Sequence, residues 1–307
     1  MKHLLKMSDL TREELYHILD TADRLKAAHK AGEPENYLSG KSVALMFSKN
    51  STNTRASFEV GVYQMGGYAG SISAATDLKS RHGEPLRDTA RALGRFYDAV
   101  VWRTYQQKDL EELAAWAGVP VINGLTDYAH PCQVLADLMT IREYKGRLEG
   151  LRLCFMGDGN NIANSLIVGG LLAGMQVTCA CPTAFRPNAA VLHWAEQYGD
   201  HFTLTDDYAT AAAGADVIVT TGWTSVVGQD ERERAQRVRQ FKNFRVDSRY
   251  TMAVAAPDCM VLHGLPARRG EEITDEVLEA HAAEIFDEME NRMHVQKAVL
   301  AVLLAGQ

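Results

Sequence analysis

Short apolar runs of strand length alternate with helix-patterned segments along this chain, and the series occurs twice. In the first half the runs are SVALMF (42–47), DAVVWR (98–103) and VPVING (119–124). In the second half they are LRLCFM (151–156), MQVTCA (175–180), ADVIVTT (215–221) and CMVLHG (259–264). Such alternation builds parallel sheets wrapped by helices, so the expected class is α/β, with two doubly wound parallel-sheet domains. A length of 307 residues, more than one core usually supports, points the same way. The helical stretch HPCQVLADLMTIREYKG (130–146) leads into a charged connection, which puts the expected boundary near residues 140–150. The expected division is 1–145, 146–288 and an amphipathic C-terminal helix, 289–307.

Local signals place the first helices. Thr11 and Glu14 stand in capping-box spacing, and Leu15, Ile18, Leu19, Ala22 and Leu25 then mark one helical face. After FSKNSTNTR (47–55), Phe58, Val62 and Met65 line one side of a helix that Gly66-Gly67 ends. Ligands of doubly wound sheets sit at the carboxyl ends of the strands. Polar segments fall there repeatedly: 51–55, Arg103, 130–133, 158–161, 221–228 and 263–266. Their spread over both halves predicts one cleft between two domains.

Composition excludes several classes. Net charge is −7 with no basic stripe, which argues against nucleic acid and requires any anionic substrate to be drawn by a local cation cluster. No stretch reaches membrane-span length, and MKHLLKMSDL lacks the apolar run of a signal peptide, so a cytoplasmic protein is expected. Cys132, Cys154, Cys179, Cys181 and Cys259 form no CxxC, and reduced structural thiols are expected. Cys179 and Cys181, in a strand, are expected on opposite faces. No histidine or cysteine spacing suits a metal, and no metal is expected. Gly157-x-Gly159 is half of a dinucleotide fingerprint, but Ile162 takes the third glycine's place and no acidic residue ends the next strand, so NAD is rejected and no cofactor is expected.

The strand-end segments each admit two readings. Ser51, Thr52 and Thr54 add hydroxyls to the free amides of a helix start, with Arg55 just inside; this suits an anion, and equally an N-cap with a polar turn. His130 before a helix and Gln133 in its first turn suit an oxygen that becomes negative and an amide, or a cap and a solvated glutamine. Asn160 and Asn161 suit a carboxylate or an amino-acid backbone.

Together, in this order, STNTR, GEPLRDTAR (83–91), VVWRTY, INGLTDYAHPCQVLAD, GDGNNIANS, HGLP and ENR resemble the aspartate/ornithine carbamoyltransferase family over nearly the whole chain, the ornithine branch most closely. The resemblance implies a carbamoyl-phosphate domain, an amino-acceptor domain, a C-terminal helix packing back on the first domain, and a homotrimer with sites at subunit contacts. It implies transfer of a carbamoyl group from carbamoyl phosphate to an amine, L-ornithine first, giving L-citrulline and phosphate. Carried over by position, Ser51, Thr52, Asn53, Thr54 and Arg55 lie in the phosphate motif. Arg103 bridges phosphate and carbamoyl oxygen, His130 meets that oxygen, and Gln133 and the Leu265 carbonyl hold the amide, with Arg292 as a further arginine. Asn161, Thr221, Ser225, Val226, Gly264 and Leu265 fall at the acceptor. Lys79, Arg81 or His82 reaches a neighbouring subunit.

The chain departs from the family pattern in three places. Asn53 replaces the first arginine of S-T-R-T-R, and loss of one preorganised donor costs about a hundredfold or more in rate. Gly264 replaces a cysteine. Thr221 replaces the aspartate that receives the acceptor's α-ammonium, and Ser225-Val226-Val227-Gly228 carries one extra residue. Two further readings therefore stand beside ornithine: a carbamoyltransferase for a different amine or amino acid, and a noncatalytic anion-binding paralogue.

Overall fold

The computed structural model describes residues 1–49, 51–73, 83–223 and 231–304. The chain forms two compact units: Met1–Met139 with Asn291–Gln307, and Thr140–Glu290.

The first unit holds a parallel sheet of β1 (Ser42–Phe47), β2 (Tyr68–Ile72), β3 (Ala99–Arg103) and β4 (Val121–Leu125), in the order β2-β1-β3-β4. The chain moves from β1 outward to β2 and then returns to the other side for β3. Strand order therefore reverses between β1 and β3, whose carboxyl ends, Phe47 and Arg103, are register partners. A ligand crevice belongs at such a switch point. The second unit holds β5 (Arg152–Met156), β6 (Gln176–Ala180), β7 (Phe202–Thr205), β8 (Val217–Thr220) and β9 (Met260–His263), in the order β7-β6-β5-β8-β9 and again parallel. Here the order reverses between β5 and β8, and Met156 pairs with Thr220 at their carboxyl ends.

The central strands are the apolar runs of the sequence, buried on both faces as parallel strands require. β2 and β7 carry no such run. Both lie at sheet edges, as β4 and β9 also do, but unlike those two they bury little of their side-chain surface, so neither leaves an apolar signature. The capping box at the first long helix is present: Glu14 N donates to Thr11 Oγ1 at 3.2 Å, and Thr11 N donates to Glu14 Oε2 at 3.0 Å. Leu15, Ile18, Leu19, Ala22 and Leu25 are its buried face. Helices Leu86–Phe96 and Gln107–Ala117 pack so closely that a Cβ at Gly94 would lie 1.7 Å from the Ala117 carbonyl oxygen. Residues 291 onward of the last helix, Ala282–Leu304, belong to the first unit. There Lys297, fully buried, forms an ion pair with buried Glu35 and donates to Gln64 Oε1 at 3.1 Å.

The five cysteines are free and buried. Cys179 and Cys181 do not face opposite ways; their thiols are hydrogen-bonded to each other. Strand side chains repeat every two residues, so positions i and i+2 share a face, and the expectation of opposite faces misapplied that period.

Candidate functional site

In the first unit the polar groups gather at the switch point. Ser51 caps helix Thr52–Gln64, its Oγ accepting from Thr54 N at 3.3 Å, and the two hydroxyls are hydrogen-bonded at 3.0 Å. The fully buried Thr54 Oγ1 also accepts from Arg103 Nη1 at 3.2 Å and from Arg292 Nη2 at 2.8 Å. β3 delivers Arg103, and the last helix delivers Arg292, which is only 3% exposed. Two guanidiniums thus converge on one neutral hydroxyl at a helix N-terminus, where the peptide dipole is also positive. Burial and the nearby Arg292 charge push the Arg103 pKa down to about 10. The cluster gains from a bound anion.

His130 sits next to this cluster, immediately before helix Pro131–Lys145. The turn leading to it is tied down: Asn123 Nδ2 donates to Leu5 O at 2.7 Å, Leu125 N donates to Asn123 Oδ1 at 2.9 Å, and Ala129 N donates to Thr126 Oγ1 at 3.1 Å. His130 is buried, and desolvation, then the charges of Arg292 and Arg103, hold its pKa well below the ordinary histidine value. It is neutral at neutral pH, so what it can offer a ligand is a ring N–H and not an imidazolium charge. Gln133 Nε2 donates to buried Asp137 Oδ1 at 2.9 Å, so its carbonyl end is oriented as an acceptor.

The structure does not bring every motif residue to the cluster. Arg55 is exposed and paired with Glu59 at 2.8 Å along its own helix. It lines a cavity of about 550 Å³ with Phe47, Ser51, Thr52 and Ser71. Asn53 is half-buried. Lys79, Arg81, His82, Ser225 and Val226 lie outside the described residues. Two further groups at or near the cluster escaped the sequence reading. Asp137 has a signal, since Gln133 and Asp137 stand at the i, i+4 spacing of a helical hydrogen-bonded pair. Lys49, half-buried just after β1 and within the electrostatic reach of Arg103, has none.

In the second unit, the turn after β5 opens helix Asn161–Leu172. Asn160 is its cap, with Oδ1 accepting from Ile162 N at 2.9 Å and Ala163 N at 3.3 Å, while Asn161 is the first helical residue. Thr220 Oγ1 donates to Met156 O at 2.8 Å, joining β8 to β5, and half-buried Thr221 follows. Asp158 forms an ion pair with Arg237, which also donates to the Trp223 carbonyl and lies over the rings of Phe185 at 4.6 Å and Phe241 at 5.1 Å. Burial raises the Asp158 pKa, and the Arg237 charge opposes that rise. Beyond β9, Leu265 N donates to His263 Nδ1 at 3.0 Å. That fixes the tautomer: the Nε2–H donates to buried Glu272 Oε1 at 3.1 Å, and Glu272 also accepts from Arg268 N at 2.6 Å. The bonds hold Leu265 at φ 33°, a left-handed conformation that non-glycine residues adopt at a cost and that clusters at ligand clamps.

Residues 2–143 match the aspartate/ornithine carbamoyltransferase carbamoyl-P binding domain, and residues 149–303 match the aspartate/ornithine carbamoyltransferase Asp/Orn binding domain. The chain belongs to the aspartate/ornithine carbamoyltransferase family. It is 47% identical to the ornithine carbamoyltransferase of Geobacter sulfurreducens over 305 residues, covering 99% of each chain. It is also 47% identical to that of Thermococcus kodakarensis, over 99% of this chain and 97% of the other. The solved ornithine carbamoyltransferase of Pyrococcus furiosus superposes with a TM-score of 0.94 at 44% identity, covering 100% of this chain and 98% of that one. The two family matches meet close to the boundary of the compact units; Ser51, Thr54, Arg103 and His130 fall within the first match, and Arg292, which the last helix returns to the first unit, falls within the second.

Proposed function

We propose that this member of the family transfers the carbamoyl group of carbamoyl phosphate to the δ-amine of L-ornithine, giving L-citrulline and phosphate. The observation that carries the donor half is the convergence of Arg103 and Arg292 on Thr54 at a helix N-terminus. Full-length likeness to ornithine carbamoyltransferases supports the acceptor.

The neutral amine attacks the carbamoyl carbon, the carbonyl oxygen gains negative charge, the bond to the phosphate oxygen breaks as the carbonyl re-forms, and the proton lost from the amine leaves on the phosphate. We assign the phosphate to Ser51, Thr52, Asn53, Thr54 and Arg292, and the carbonyl oxygen to Arg103 and neutral His130; Arg55, paired with Glu59, is left outside the set. Donors already in place cost no reorganisation when the charge develops. Gln133, with Nε2 on Asp137, takes the carbamoyl N–H at its carbonyl. Asn161, Thr221, Gly264 and Leu265, with Ser225 and Val226, are assigned to the acceptor. Lys79, Arg81 or His82 is assigned to a neighbouring subunit's site in a cytoplasmic homotrimer. Exposed Tyr63, Tyr68 and Phe96, on and beside edge strand β2, support assembly through the first unit, and the buried free thiols support a reducing compartment.

A second reading is favoured by Thr221 and Gly264, which put neutral groups at the ends of β8 and β9. It is carbamoyl transfer to an amine whose α-nitrogen carries no charge. The test is phosphate release and ureido product from carbamoyl phosphate with a panel of amines. Turnover with ornithine supports the first reading, and turnover only with an acceptor of the other kind supports the second. Phosphate binding without turnover on any amine overturns both.

A further inference from the structure

This inference rests on the carbamoyl-phosphate reading and concerns the missing charge at the phosphate end. The helix starting at Thr52 brings no cation of its own to its N-terminus. Asn53 is neutral, and Arg55 is turned out to Glu59. A phosphate group carries about two charges near neutral pH. The cations that face it come from elsewhere in the unit.

Lys49 is placed to be one of them. β1 ends at Phe47, in register with Arg103, and the next amide, Ser48 N, donates to Arg103 O at 2.9 Å. The Ser48 hydroxyl accepts from Trp102 Nε1 at 3.1 Å, which pins the chain against β3 just before Lys49. Two residues on, Ser51 caps the helix. Lys49 therefore lies on the short bridge between the end of β1 and the helix N-terminus, beside Arg103. Its side chain is half-buried and makes no hydrogen bond or ion pair among the described residues. Burial and the Arg103 charge both press its pKa below the ordinary lysine value. A lysine that is desolvated and repelled by the Arg103 charge, with no carboxylate paired to it among the described residues, is held at an energetic cost. An anion bound at the helix start relieves that cost.

We propose that Lys49 is a direct phosphate ligand of this site and supplies the charge that Asn53 lacks. Two positions that are not adjacent in sequence then share one electrostatic task, and they must compensate for each other.

The test is titration calorimetry on the full chain, with carbamoyl phosphate and with inorganic phosphate as a stable probe. The variants are Lys49→Met, Lys49→Arg, Asn53→Arg and the pair Lys49→Met with Asn53→Arg. Loss of a hydrogen bond to a charged group predicts binding about tenfold or more weaker in Lys49→Met, with Lys49→Arg within about threefold of wild type. Adding Asn53→Arg to Lys49→Met is expected to restore most of the loss. The thermal midpoint of ligand-free Lys49→Met should be no lower than that of wild type, since the variant is relieved of the cost of holding the charge. Lys49→Met binding within about twofold of wild type, or a double variant no better than Lys49→Met alone, overturns the inference. So does a fall in thermal midpoint that accounts for the lost binding, which assigns Lys49 to the fold. If wild type itself binds neither compound, the carbamoyl-phosphate reading fails first, a result separate from any difference among variants.

Discussion

Replacing Thr54 by valine removes one oxygen and leaves the volume nearly unchanged, so it isolates what that hydroxyl does for the two arginines. In the wild type it accepts from Arg103 at 3.2 Å and from Arg292 at 2.8 Å. A hydrogen bond to a charged group contributes about 1.5–3 kcal/mol. Arg103 is only partly buried and regains water when the bond is lost; Arg292, 3% exposed, does not. The loss therefore comes mainly from Arg292, and Thr54→Val should destabilise the first unit by about 2–3 kcal/mol. Thr54→Ser, which keeps the oxygen, should cost no more than about 1 kcal/mol for the lost methyl. Urea denaturation measures the total, and hydrogen exchange at the amides of helix Thr52–Gln64 localises it. Exchange that requires opening of this unit should speed up by about thirtyfold or more. A valine variant within about 0.5 kcal/mol of wild type, or a serine variant as damaged as the valine one, would refute the view that this hydroxyl holds the arginines in place.

Three further outcomes are expected. Lys297→Met strands Glu35 as a buried charge and should cost about 3–5 kcal/mol, most of it recovered in the double variant with Glu35→Gln; a double-mutant cycle in urea without that recovery rejects the pairing. Gly94→Ala drives a methyl into the Ala117 carbonyl, forces the two helices apart and should cost about 3 kcal/mol or more; an alanine variant as stable as wild type contradicts the close approach. His130 stays neutral in the folded protein while its unfolded form takes a proton below about pH 6.5. On acidification through that value wild type should therefore lose up to about 1.4 kcal/mol per pH unit that His130→Asn does not lose, with no difference in slope above pH 7; parallel stability profiles from pH 7 to 5.5 rule this out.

Strands buried on both faces announce themselves as unbroken apolar runs, which made β1, β3, β4, β5, β6, β8 and β9 legible in the sequence. β2 and β7 were not, because their side chains are largely open to water and need no such run, whereas β4 and β9, also at sheet edges, are buried. The capping box at Thr11 and Glu14 was legible because it is chemistry between near neighbours. So was the anion-binding character of the stretch from Ser51 to Arg55, as a type of site.

The convergence of the arginines there was not legible from the residues themselves; only the family resemblance assigned Arg103 and Arg292 to the site. Thr54, Arg103 and Arg292 are 49 and 189 residues apart along the chain, and only the return of the last helix to the first unit brings them onto one oxygen. Tertiary structure also decided that Arg55 faces Glu59, that Asp158 is committed to Arg237, and that Lys49 stands beside Arg103. Sequence determines what is local, because hydrogen-bonding reach and side-chain periodicity act over a few residues. Charge placement is decided by packing, because the field at a site sums over groups that neighbour one another only once the chain has folded.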